Sequence, residues 1–178
     1  MKLIFLDIDG VLNYQLYYQE KRQCDRHKEL PEDAPDGAHD ICERRISLLN
    51  DLIEDTGAKV VISSSWRNGK SVEELTQLFE YKGFKGEIIG KTPYLWFGIS
   101  AEQEYHYSVP RGCEIKAWLE LNKDKLSEKM SEVRYVIFDD DSDMLYWQRD
   151  KFLWVDPYAG LTPSLIYKAT KILGKIKK

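Results

Sequence analysis

Three short stretches carry the residue types that could do chemistry. The first is "KLIFLDIDGVLN", residues 2–13, where an apolar run ends in Asp7 and Asp9, one residue apart, and then Gly10. The second is "VVISSSWR", where serines follow another apolar run. The third is "VIFDDDSD", where Asp139, Asp140, Asp141 and Asp143 follow a third. Carboxylates at the tip of a buried strand repel one another and are costly to desolvate. If the clusters converge, a hard cation offsets that cost, and Mg²⁺ in particular prefers oxygen ligands and pairs with phosphate. Asp7 could then attack phosphorus in line, forming an aspartyl-phosphate. Asp9 is placed to protonate the leaving oxygen and later to take a proton from water. Ser63 and nearby backbone N–H groups could hold the phosphate oxygens, with a basic side chain neutralising charge. Gly10 lets the chain turn tightly after the strand.

Each stretch also has a plainer reading. "DIDG" could be a fragment of a calcium loop, but the remaining ligands and the distal glutamate of an EF-hand do not follow. "DDDSD" alone could be a solvated turn, and "SSSWR" a helix start with Trp66 in the core. No Gly-x-Ser-x-Gly surrounds the serines, which argues against a serine hydrolase. Cys113 lacks a catalytic-histidine context and reads as structural. Cys24 and His27 are three apart, as are His39 and Cys42, and two such pairs could ligate tetrahedral zinc. The simpler alternative puts Cys42 at a helix start and the histidines in a polar loop.

The elements that must position these residues alternate between strand and helix. "KLIFL" predicts a buried strand. Residues 14–40 are polar, aromatic and dense in turn formers around "PEDAPDG", which predicts a loop or flap. Apolar residues at Ile46, Leu49, Leu52 and Ile53 predict a helix from Ile41 to about Asp55, stopped by Gly57. "AKVVIS" is a second strand. Ser71 with Glu74 predicts a capping box and a helix to about Tyr81. "GEIIGKTP" reads as a third strand, and residues 94–110 as an aromatic, irregular loop. A helix over "GCEIKAWLELN", strands over "RYVIFDDD" and "KFLWVD", and a closing helix over "TPSLIYKATKIL" complete the pattern, the last with proline in its first turn. Such alternation predicts an α/β fold: a Rossmann-like parallel sheet of about five strands flanked by helices. In sheets of that kind ligands bind beyond the carboxyl ends of the strands, where all three polar clusters fall. With no internal repeat or linker, residues 1–178 read as a single domain.

Composition agrees with a soluble globular chain: 43% hydrophobic and 31% charged residues over 178 positions. The net charge of −4 gives no support to non-specific nucleic-acid binding over the whole surface. The lysine-rich end "KATKILGKIKK" is explained by a solvated helix C-terminus. The N-terminal apolar run is too short for a signal peptide, and no segment has the length to span a bilayer, so a cytoplasmic protein is expected. Three cysteines without a Cys-x-x-Cys argue against a disulfide framework. No membrane and no obligate protein partner is evident.

These residues resemble the haloacid dehalogenase (HAD) superfamily of phosphatases. "DIDGV" is similar to its first motif, Ser63 in "VVISSSWR" to its second and "VIFDDDSD" to its fourth, across roughly residues 3–163. "SSSWR", "RGCEIKAWL" and "DPYAGLT" resemble more narrowly the HAD domain of Swiss Army Knife RNA repair proteins, a group similar to the phosphatase half of polynucleotide kinase-phosphatases. The resemblance implies Asp7 as nucleophile and Asp9 as general acid/base, with the Asp9 backbone carbonyl also facing Mg²⁺. It implies Asp140 as metal ligand with Asp139 in support, Asp141 and Asp143 leaving that choice open. Arg111 is the preferred third-motif cation and Lys116 the second. Ser64, Arg67 and Trp96 are further candidates for substrate binding.

The function expected is a Mg²⁺-dependent phosphatase acting on phosphomonoesters through an aspartyl-phosphate. The alternatives are a non-catalytic phosphate- or nucleic-acid-binding module of the same fold, and a phosphotransferase to an acceptor other than water. The intact pair Asp7 and Asp9 argues against the non-catalytic reading. The stretch after the first motif holds under ~30 residues, enough for a flap but too few for a full cap domain. An open site suits a large substrate such as a DNA or RNA end, or a nucleotide. Aromatics beside charges in "YQLYYQEKRQ" and "YLWFGISAEQEYHY" could stack bases, or else simply cover the core.

Overall fold

The computed structural model describes residues 1–23, 31–98, 106–126 and 132–176. Five parallel strands form the central sheet in the order β3-β2-β1-β6-β7. They are β1 (Lys2–Leu6), β2 (Lys59–Ile62), β3 (Ile88–Lys91), β6 (Arg134–Asp139) and β7 (Phe152–Trp154). β1 is apolar at nearly every position because both faces of a parallel sheet are covered. Its register runs Leu6↔Ile62 on one side and Leu6↔Phe138 on the other.

Alternation along the strands sends successive side chains to opposite layers. Ile4, Leu6, Val60, Ile62, Val136 and Phe138 pack with helices α2 (Glu43–Thr56), α3 (Val72–Tyr81) and α6 (Pro163–Leu173). Leu3, Phe5, Val61, Tyr135 and Ile137 pack with Ile115, Trp118 and Leu119 of α4 (Arg111–Leu121) and with Leu126 of α5 (Lys123–Leu126). The chain runs from β1 outward to β3 and then returns across β1 to β6. Order therefore reverses between β1 and β6, and the crevice at that reversal is where such folds bind ligands.

Local signals account for the helix ends. Gly57 closes α2 in the left-handed conformation (φ 66°), its N–H reaching the Ile53 carbonyl. Ser71 and Glu74 form the reciprocal capping box of α3, at 3.1 and 2.6 Å. Thr162 caps α6, with Pro163 in the first turn. Among the described residues no helix is long and apolar enough to cross a membrane.

Two segments read as loops contain regular structure. A helix, α1 (Gln15–Gln23), opens the 14–40 stretch. Its residues have good helix propensity, but tyrosines, glutamines and charges give no apolar stripe to detect. The aromatic 94–110 stretch contains an antiparallel pair, β4 (Trp96–Gly98) with β5 (His106–Ser108). Strands of three residues are too short to show a period of two. The short α5 was likewise not expected from the sequence.

Phe5 is the central contact of the α4 side of the core. It is fully buried, with edge-on rings at 5.6 Å from Trp118 and from Tyr135. Phe5→Ala is expected to cost about 3–5 kcal/mol of unfolding free energy, read from denaturant titration at unchanged m-value.

Candidate active site

The strand register alone brings the first two clusters to the third. Ser63 N–H donates to the Leu6 carbonyl (2.8 Å) and Asp7 N–H to the Phe138 carbonyl (2.9 Å). Asp7 thus sits at the tip of β1 with Ser63 on one side and Asp139 on the other. Alternation points these positions toward the α4 layer, as it does Phe5, Val61 and Ile137. The residue at the start of that helix is Arg111.

Asp7, Asp139 and Asp140 each offer an oxygen within 4.8 Å of the others. Asp7 and Asp139 are buried and Asp140 half-buried. Burial pushes the Asp7 carboxyl from the usual 3.8 up to about 6, with Ser64 and the Arg111 charge pulling it partway back. Burial, and then the neighbouring Asp7, push Asp139 up to about 8. Burial also raises Asp140. Asp139 Oδ1 accepts from the Asp141 N–H at 3.0 Å, whereas Oδ2 is buried without a hydrogen-bond partner. The donor set fits a small hard cation. Two oxygens on one Mg²⁺ lie about 3–4 Å apart, so oxygens up to 4.8 Å apart need to close by at most about 2 Å. Asp7, Asp139 and Asp140 would hold it.

Gly10 makes the approach possible. It lies at φ 68°, and a β-carbon there would stand 2.4 Å from Asp140 Oδ2. Only glycine allows the turn after β1 to close against this carboxylate. Asp141 and Asp143 have other work. Asp141 accepts from Ser142 N–H in its own turn (2.7 Å), and Asp143 Oδ2 accepts from Arg111 N–H at the start of α4 (2.7 Å).

Asp9 is exposed and its carboxylate is not in the triad. The Trp66 indole N–H donates to both of its oxygens at 3.0 Å, and Asn13 Nδ2 donates to Oδ1 at 2.7 Å. Among the serines, Ser64 reaches Asp7, while the Ser63 hydroxyl is buried without a partner.

The basic residues divide sharply. Arg111 Nε lies 3.6 Å from Asp139 Oδ2 and its Nη1 3.4 Å from Glu114 Oε2. Arg67, considered above for substrate binding, is 3% exposed and is turned inward. Its guanidinium pairs with Glu114 at 2.5 Å and donates to the Ser64 carbonyl at 2.6 Å, so it braces the serine loop from beneath. Lys116 pairs with Glu120 at 2.8 Å on a half-exposed part of α4. Helix geometry explains this: Lys116 lies five residues beyond Arg111, on another side of the helix, and further from the strand tips.

Comparison with known families adds one finding. The family described as the HAD domain in Swiss Army Knife RNA repair proteins matches residues 3–166. The chain belongs to this family. No curated protein and no solved structure matches it.

Within this HAD domain, several contributors escaped the sequence reading. Trp66 packs against the core, as the plainer reading of "SSSWR" had it, but its N–H also holds Asp9. Asn13 lies four residues after Asp9, and this spacing within one turn was the available signal. Glu114 is a buried hub, accepting from Arg67, Arg111 and the Leu95 N–H (3.0 Å); a glutamate on an amphipathic helix gives no hint of that. Trp154 Nε1 donates to the Asp140 carbonyl at 2.8 Å and fixes the backbone of a triad member. The Trp96 side chain lies outside the described residues, as do Cys24 and His27. Cys42 is buried with its sulfur 3.9 Å from the Tyr14 hydroxyl.

The raised pKa values have a thermodynamic consequence. A carboxyl whose folded pKa exceeds its unfolded value binds protons better when folded, so stability falls as pH rises between the two values. In chelator, Tm is expected to fall from pH 5 to pH 8, and to fall less in Asp139→Asn. Mg²⁺ should raise Tm more at pH 8, where the carboxyls ionise, than at pH 5. Scanning calorimetry on both proteins checks all three.

Proposed function

We propose that this HAD domain is a Mg²⁺-dependent phosphatase that hydrolyses phosphomonoesters at nucleic-acid ends or on nucleotides. The observation that carries the reading is the triad of Asp7, Asp139 and Asp140 beside Arg111. A buried group of like-charged oxygens with an unpartnered lone pair is suited to a divalent cation and, through it, to a phosphate dianion.

In this reading Asp7 is the nucleophile. Its free oxygen attacks phosphorus as the bond to the leaving oxygen breaks, and the phosphoryl group is transferred to the carboxylate. Asp9 gives its proton to the leaving oxygen, and then takes one from the water that attacks the aspartyl-phosphate. Arg111, held at the start of α4, offsets charge on the transferred oxygens, and the Ser63–Ser64 segment supplies hydroxyl and N–H donors. A bound Mg²⁺ would supply charge neutralisation between Asp7 and the substrate.

A polynucleotide substrate draws support from the surroundings. The family is one of RNA repair proteins. Tyr146 and Trp147 after β6, Trp154 at the end of β7 and Tyr158 beyond it are exposed large aromatics. Gln148 ties this rim to the active side of α4 by donating to the Gly112 carbonyl (3.0 Å), next to Arg111. Exposed π-faces on the segments that follow β6, with Trp154 bonded to the Asp140 carbonyl, are suited to stacking bases.

Asp7→Asn should lower turnover about a thousand-fold or more, since an amide is a poor nucleophile. Its melting temperature should stay equal or rise, because a neutral group replaces a buried carboxyl. Near-normal turnover would refute the assignment. Separately, Trp147→Ala should lower kcat/KM on a phosphorylated oligonucleotide about five-fold or more while leaving an aryl phosphate unaffected, in line with stacking of roughly 1–3 kcal/mol per base. Equal rates on the oligonucleotide before and after substitution would remove this rim from the substrate path.

A further inference from the structure

The contacts of Trp66 reach in two directions. Toward the site, its indole N–H straddles the Asp9 carboxylate at 3.0 Å from each oxygen. Indole nitrogen is a donor only, so the direction of these bonds is fixed. Asn13 supplies the second clamp on Oδ1. Its own orientation is set, because its Oδ1 accepts from the Gly10 N–H at 3.0 Å and so leaves Nδ2 facing Asp9. Rotation of a carboxylate about its last torsion is normally soft and two-fold. Here three donors restrain it: Asn13 from the turn after β1, and Trp66 with the more distant Ser65 hydroxyl (3.5 Å from Oδ2) from the turn after β2.

Away from the site, the Trp66 ring lies under Gly37. A β-carbon on Gly37 would come 2.5 Å from Trp66 Cζ3 and 3.0 Å from Cη2, and Gly37 itself lies at φ 87°. The backbone of this segment therefore rests directly on the ring. The segment is anchored at both ends. Ala38 and Ile41 are fully buried, Cys42 N–H donates to the Leu12 carbonyl (3.1 Å), and the Lys70 ammonium pairs with Asp36 at 2.6 Å.

We propose that Trp66 is a positioning residue for proton transfer. Its N–H, with Asn13, sets the plane of the Asp9 carboxyl, and the segment around Gly37 fixes the ring that carries that N–H. The proposal rests on Asp9 acting as general acid in the reaction above. The proton that moves is Asp9's own. It passes to the leaving oxygen, which keeps the electron pair of the broken P–O bond, and the indole N–H is retained throughout.

The test compares kcat/KM across aryl phosphates of one size but different leaving-group basicity, from p-nitrophenyl to phenyl phosphate. Asp9→Asn serves as the reference, Trp66→Phe removes the N–H but keeps the ring, Trp66→His restores a donor, and Gly37→Ala displaces the ring from outside the site. Melting curves are recorded for each. General acid catalysis contributes roughly 10²–10⁴-fold, so mispositioning the acid should cost about ten-fold more on phenyl than on p-nitrophenyl phosphate. Trp66→Phe and Gly37→Ala should both show this selective loss, and Trp66→His should recover part of it. If Asp9→Asn discriminates between leaving groups but a folded Trp66→Phe loses equally on both, Trp66 is only packing and the proposal is overturned. If Trp66→Phe does not fold, Gly37→Ala decides by the same ratio, an equal loss overturning the proposal. Should Asp9→Asn itself lose equally on both, the general-acid reading fails first and the proposal falls with it.

Discussion

Two carboxyl groups of like charge, Asp7 and Asp139, are held side by side at the tips of adjacent strands. The parallel register of β1 with β6 puts them there, and the hydrogen bond from Asp7 N–H to the Phe138 carbonyl keeps the strands together up to the last residue. Burial favours their protonated forms, and their proximity raises Asp139 further. Much of the surrounding structure reduces that cost. Arg111 stands near one of them, its Nε 3.6 Å from Asp139 Oδ2, and Ser64 and the Arg111 charge both favour the ionised form of the other. The remaining charge is what draws in a divalent cation and then a phosphate.

Cation placement depends in turn on a second buried interaction. Glu114 accepts from both Arg67 and Arg111, so one carboxylate links the serine loop to the start of α4. A buried charge left without its partner is strongly unfavourable. That linkage explains why two arginines close in sequence pattern to the site have different duties: Arg67 braces from within, and Arg111 stays one-fifth exposed near the carboxylates. Asp143 adds to the same arrangement by satisfying the first N–H of α4.

Small residues set how closely the parts meet. Gly10 lets the turn after β1 close on Asp140, Gly37 lets its segment lie on Trp66, and Gly112 brings α4 against the loop after β6, where a β-carbon would stand 2.4 Å from the Leu145 nitrogen. At each position a methyl group would separate elements that carry the site. The site therefore relies on backbone proximity as much as on its charged side chains.

The sequence by itself determined the alternation of strands and helices, the helix-end signals at Gly57, Ser71 and Pro163, and the grouping of polar clusters at three strand ends. These are local properties: periodicity, propensity and turn chemistry act within a few residues. It also determined the candidates Asp7, Asp9, Asp139 and Asp140, because acidic residues directly after apolar strands stand out against the pattern, whereas Arg111 was implied by the family resemblance. Tertiary structure alone decided which hydroxyl reaches Asp7, that Arg67 turns inward, that Lys116 pairs with Glu120 instead of facing the carboxylates, and that Trp66, packed against the core, also holds Asp9 through its N–H. Helix α1 and the β4–β5 pair were not legible, since one lacks an apolar stripe and the other consists of strands too short to show alternation. Each of these outcomes depends on the distance and direction between residues remote in the chain, and sequence spacing carries no information about that until the sheet has set its register.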